Sequence, residues 1–182
     1  MQYSLVSDLA AVSAGLLAFR LVVGLAMAAH ATQKLFGWFG GHGLAGTGGF
    51  FEMLGFRPGR TFALAAGVTE LVSGLLVAAG FLGPIGPALM VSVMVVAMLT
   101  VHWSKGFFAQ EGGIELNLLY IVSAVALAFT GFGAYSLDAA LGADTLWTPT
   151  AAVIALVVGV VAGLGNLTLR RQAPSTPSTA SR

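Results

Sequence analysis

Five apolar runs, at approximately 10–34, 61–82, 85–104, 114–132 and 149–169, take up most of this chain and decide the solvent it folds in. A bilayer core is crossed by about 20 helical residues, and each run is about that long. Inside hydrocarbon every backbone N–H and C=O must be satisfied within its own segment, so single runs of this kind can cross only as helices. Composition agrees, with 57% hydrophobic and 8% charged residues where a soluble domain carries about 25% charged. The expected fold is an all-α membrane protein, a compact bundle of transmembrane helices over 1–171 followed by a tail at 172–182.

The first run contains Ala29-His30-Ala31, which mimics a small-x-small cleavage site. The preceding MQYSLVSDL has no positive charge, and Arg20 interrupts the apolar stretch that a signal peptide needs. The run therefore reads as a permanent span. Gly83-Pro84-Ile85-Gly86-Pro87 is a tight turn that makes the second and third runs an antiparallel hairpin. Gly15, Gly24, Gly67, Gly74, Gly80, Gly159 and Gly163 are candidate notches for close helix approach. Lys34, Arg57, Arg60, Lys105, Arg170, Arg171 and Arg182 fall at or on alternate connections or the C-terminus, while the fourth connection holds only the acidic Asp138 and Asp144. The excess of Lys and Arg in cytoplasmic segments then predicts a bacterial inner-membrane protein with the N-terminus outside and the C-terminus cytoplasmic. The tail, rich in Ser, Thr and Pro, lacks apolar residues to bury and is expected to be disordered.

The connection 37–60 is Gly-rich, and Gly41-His42-Gly43-Leu44-Ala45-Gly46 formally satisfies GxGxxG. That pattern carries meaning only between a strand and a helix, and here it follows a span. The connection reads instead as an interfacial element in which Thr47 caps a short helix, Phe50, Phe51 and Leu54 share a face, and Gly55 ends it.

The functional signal lies in polar residues placed where they are costly. A charge near a bilayer centre costs about 2.5–3.5 kcal/mol on the lenient insertion scale. His30, Gln33 and Lys34 follow the i, i+3, i+4 spacing of one helical face. The third run ends in Thr100-Val101-His102-Trp103-Ser104-Lys105, and the fourth begins near Glu115, so His102, Lys105 and Glu115 are expected in the same layer. Phe36, Trp38, Trp103 and Phe107 add an aromatic wall. Deeper in the membrane, a rise of about 1.5 Å per residue puts Glu70 roughly 13 Å and Arg20 roughly 21 Å from the inner ends of their spans. An Arg20–Glu70 ion pair is the expected structural strut. With no cysteine in the chain, thiolate nucleophiles and cysteine-held metals or clusters are excluded within it, and no basic stripe exists to meet nucleic acid.

The ordered residues Arg20, His30-x-x-Gln33-Lys34-x-x-Gly37, Gly48-x-Phe50-Phe51-Glu52-x-x-Gly55, Glu70-x-x-x-Gly74, His102-x-x-Lys105-Gly106-Phe107-Phe108, Gly112-Gly113-x-Glu115 and Gly131-x-Gly133-x-Tyr135-Ser136-Leu137-Asp138 resemble the DoxX family of small bacterial membrane proteins. The likeness extends over about residues 15–140. It implies a four-helix transmembrane bundle of DoxX type, to which the run at 149–169 adds a fifth, C-terminal helix. It also implies redox work near the quinone pool or in thiol-stress defence, with soluble redox or sulfurtransferase partners on the cytoplasmic side.

Three functions follow. In the first, the chain is the membrane subunit of a quinone-linked oxidoreductase. His30, His102, Lys34 and Glu115 form its proton and charge machinery, with Gln33, Trp103 and Lys105 completing the binding site. A variant has His30 and His102 ligate a haem between the first and third spans. In the second, the chain is a non-enzymatic scaffold that docks a soluble detoxifying enzyme through the Gly-rich loop and the tail. In the third it handles lipid or transports a solute. No inverted repeat or pair of broken spans supports this last class. Oligomeric state is not encoded in any of these features.

Overall fold

The computed structural model describes residues 2–171, with side chains from Asp8 onward. The tail at 172–182 lies outside the described residues. The elements are α1 (Gln2–Phe36), α2 (Gly43–Met53), α3 (Gly59–Ala79), α4 (Ile85–Ala97), α5 (Glu115–Thr130), α6 (Leu137–Ala140) and α7 (Pro149–Leu167). A π-helical turn at Met98–His102 and a 3-10 turn at Trp103–Lys105 extend α4. Among the described residues, four helices are long and apolar enough to cross a membrane: Asp8–Phe36, Gly59–Ala79, Ile85–Lys105 and Pro149–Leu167. α5 is apolar and has 16 residues.

Glycines set the helix pairing. Gly24 and Gly74 face each other where α1 crosses α3, and a Cβ on either would lie 2.5 Å from the other's carbonyl oxygen. Leu35 fills the notch at Gly67 further along the same antiparallel pair. Gly159 lies against Ala88, and Gly163 against Ser92 and Val95. The α4 and α7 contacts thus advance in the same direction, which makes this pair parallel. α5 runs back between them, with Asn117 near Met94 and Leu127 in the same core cluster as Met90. Gly15 is not a notch, since nothing lies within 4 Å of its Cβ position. Gly80 ends α3 with a φ of 67° rather than admitting a neighbouring helix. The core joins Met27, Val77, Met90, Val91, Met94, Ala124 and Leu127 at mid-bundle.

The two ends of the bundle differ in chemistry. At the end marked by Gly83, Arg20 is 2% exposed and donates to the carbonyls of Ala78 (2.5 Å) and Tyr135. Ala78 lies in the last turn of α3, where free carbonyls and the negative end of the helix dipole receive a cation. Asp138 complements it by accepting from the amides of Leu82 (3.0 Å) and Gly83 (2.7 Å). Together they lock the α3–α4 turn to the segment that leaves α5. At the opposite end, Arg171 N–H donates to Gly55 O at 2.7 Å and Arg170 Nε to Leu54 O at 2.8 Å, docking the end of α7 on the α2–α3 connection.

The expected Arg20–Glu70 pair does not form. Glu70 takes Lys34 instead, with Nζ 2.7 Å and 2.6 Å from the two carboxylate oxygens. The reason is directional. Side chains on a helix lean toward its N-terminus, so on antiparallel α1 and α3 the Arg20 and Glu70 side chains lean away from each other. Those of Lys34 and Glu70 lean together.

Candidate functional site

α2 folds back under the bundle and creates the site. It begins at Gly43, four residues before the expected cap, so Thr47 lies inside the helix with its hydroxyl 3.5 Å from Lys34 O. The sequence GLAGTGGFFEM permits this close seating. A Cβ at Gly48 would meet Arg60 at 2.8 Å, and one at Gly41 would collide with Gln33. Of the formal GxGxxG, Gly41 thus seats the connection against α1, and Gly43 opens α2 with a φ of 62°. Gly55 ends the element with a φ of 92°, as expected. Glu52 Oε1 accepts from Gly59 N–H at 3.1 Å and so anchors the start of α3.

Above α2 lies a cavity of about 440 Å³ walled by α1, α2, α3, α4 and the last turn of α7. His30, Gln33, Lys34 and His102, expected in one layer, all line it. Glu70 lines it too, 3% exposed and held by Lys34. His102 Nδ1 stands 2.6 Å from Gly112 O. A carbonyl only accepts, so Nδ1 carries a proton and donates it, which leaves Nε2 as the ring atom to meet a ligand. His30 repeats the arrangement. Its Nδ1 is 3.2 Å from Gln33 Oε1, and the same amide donates through Nε2 to Phe39 O at 3.2 Å, which fixes which amide atom is the oxygen. The His30 and Tyr120 rings stand 6.2 Å apart, centroid to centroid, at an interplanar angle of 78°.

The α4 wall ends in the π-helical turn, a feature frequent at functional sites, whose Thr100, Val101 and His102 all line the cavity.

Three expected site residues are elsewhere. Trp103 is 61% exposed, outside the cavity lining. Lys105 packs its side chain toward Gly112. Glu115 Oε2 accepts from Ala109 N–H at 2.8 Å and organises the loop before α5. In their place the cavity gains His42, Thr69, Thr100 and Asn166, with Phe50, Phe51 and Phe62 as its apolar floor and side. Of these, Thr100 carried a signal in the sequence, two residues before His102. His42 and Asn166 reach the cavity only because α2 folds back and α7 docks.

A family model described as DoxX matches residues 15–103, from within α1 to Trp103, just after the π-helical turn. The chain belongs to the DoxX family. The matched segment contains all of α2 and α3 and every cavity-lining residue except Asn166, so the cavity belongs to the part of the chain that carries the DoxX signature. No curated protein and no solved structure matches the chain.

Proposed function

We propose that this DoxX protein is the membrane subunit of a quinone-linked oxidoreductase, and that its cavity holds the quinone headgroup. The observation that supports this most is the paired histidine arrangement. Two imidazoles on different helices line one cavity, each with Nδ1 committed to an oxygen acceptor and Nε2 left for a ligand. A quinol presents two hydroxyl donors to two such acceptors. On oxidation the two hydroxyl protons pass to Nε2 of His30 and His102, and the two electrons leave to the redox group of a partner protein. Reduction runs the same transfers backwards.

The roles are narrower than the sequence implied. Lys34 is engaged by Glu70, so the pair acts as a fixed dipole in the wall rather than as a free cation for the reduced ligand. Gln33 orients His30. Glu115, Trp103 and Lys105 support the loop and the surface, outside the binding machinery. A haem between His30 and His102 remains the alternative occupant of the same Nε2 atoms, and a Soret band in the purified protein distinguishes it.

The five-span topology and the orientation belong to this proposal. A parallel α4–α7 pair requires a return crossing between them, and α5 supplies it. Lys34, Arg57, Arg60, Lys105, Arg170 and Arg171 gather at the α2 end, which the distribution of basic residues assigns to the cytoplasm.

Titrating the detergent-purified protein with a benzoquinone that has an isoprenoid tail, followed by quenching of intrinsic tryptophan, tests the reading. His30→Ala and His102→Ala are each expected to raise Kd about tenfold, the loss of one ligand hydrogen bond. Lys105→Ala leaves it unchanged. Equal Kd values for all three variants and the parent would remove the histidines from the site.

A further inference from the structure

The α3 wall of the cavity runs from a buried face to an exposed one. Glu70 is buried, Phe62, Ala66 and Thr69 are half-buried, and Ala65 is exposed. Facing them on α4 are half-buried Ser92, Val93 and Val96. The cavity therefore reaches the outer surface of the bundle between α3 and α4. Ala65 and Thr69 lie six and ten residues into α3, about 9 and 15 Å along its axis. That depth is hydrocarbon rather than water for a span of this length.

The chemistry of the opening matches its depth. Thr69 Oγ1 donates to Ala65 O and Thr100 Oγ1 to Val96 O, each at 2.8 Å. Both hydroxyls are thus satisfied within their own helices, and what remains to meet a ligand is methyl surface. Toward the aqueous end, α2 sets Phe50, Phe51 and Leu54 across the cavity, beside the exposed His30 and His42.

We infer that the ligand enters sideways from the bilayer between α3 and α4, with its polar head at His30 and His102 and an apolar tail leaving past Ala65, Thr69 and Val96. The occupant is a lipid-borne molecule carrying one long hydrocarbon chain. This rests on the quinone reading for the head, while the side opening stands on the α3 and α4 walls alone.

The absence of cysteine makes single-cysteine spin labelling of the full chain direct. Thr69→Cys and Ala65→Cys, labelled in nanodiscs, are compared for collision with oxygen, which concentrates in lipid, and with a water-soluble nickel chelate. Oxygen is expected to dominate at both sites. A tailed benzoquinone is expected to lower the oxygen collision rate, and a tailless one to leave it unchanged. Dominance of the nickel chelate overturns the side entrance. So does equal shielding by tailed and tailless quinone, or unaltered collision rates under a tailed quinone that wild-type protein binds. If wild-type protein binds no quinone, the quinone reading falls, and oxygen dominance at both labels would still uphold the opening to lipid.

Discussion

Replacing Lys34 with methionine is expected to destabilise the protein by about 3–5 kcal/mol, because it strips the partner from a buried carboxylate. Glu70 is 3% exposed and both of its oxygens are held by Lys34. Without the ammonium, its charge stays in the bundle uncompensated. The reverse substitution, Glu70→Gln, is expected to cost less, about 1–3 kcal/mol, since the Lys34 side chain is 29% exposed and its ammonium can swing toward water. Changing both, Lys34→Met with Glu70→Leu, removes the charges together, and such replacements of buried pairs are often neutral. Unfolding in mixed detergent, run as a double-mutant cycle, reads all four states. A double variant as unstable as Lys34→Met alone would show that packing rather than charge sets the loss.

The second large effect is steric. Gly74→Val is expected to cost about 3 kcal/mol, the upper end of overpacking penalties, because the new side chain meets the main chain of α1. The Cβ alone would lie 2.5 Å from Gly24 O and 2.7 Å from Ala28 N. Backbone cannot change rotamer, so α1 and α3 must separate, and Lys34–Glu70 on the same helix pair would be strained with them. Gly15→Val, in a helix with nothing within 4 Å of the position, is the matched comparison and is expected to stay within about 0.5 kcal/mol. Thermal denaturation of the two variants in one detergent separates the outcomes. Similar midpoints would mean that the α1–α3 crossing is looser than the glycine contact implies.

Much of this architecture is legible in the chain itself. Long apolar runs leave helices as the only way to satisfy the backbone in lipid, and Gly83-Pro84 marks a turn. The convergence of His30, Gln33, Lys34 and His102 follows from depth alone, since residues near the same end of neighbouring spans share a layer. What depth cannot convey is azimuth and lean. Arg20 bonds at the level of Ala78, eight residues or about 12 Å along α3 from Glu70, and the two side chains lean apart, so Lys34 claims the carboxylate. Glu115 and Lys105 lie near the predicted layer but point into the loop that they stabilise. The fold-back of α2 was hidden for a different reason. Its glycines resemble a flexible linker in composition, whereas Gly48 is a contact point against Arg60 and Gly41, just before the helix, one against Gln33. The π-helical turn has no signature in residue type at all.

Photo-crosslinking with an azido-benzoquinone that carries an isoprenoid tail tests the central claim most directly. After illumination in nanodiscs and peptide mapping, labelled residues are expected on the facing walls of α3 and α4 and on the α2 floor, among them Phe62, Val96 and Phe51. Unlabelled tailed quinone should compete the signal away, and His102→Ala should weaken it. Labelling spread over the lipid-facing surface, or confined to the Gly83 end of the bundle and indifferent to competitor, would contradict the account.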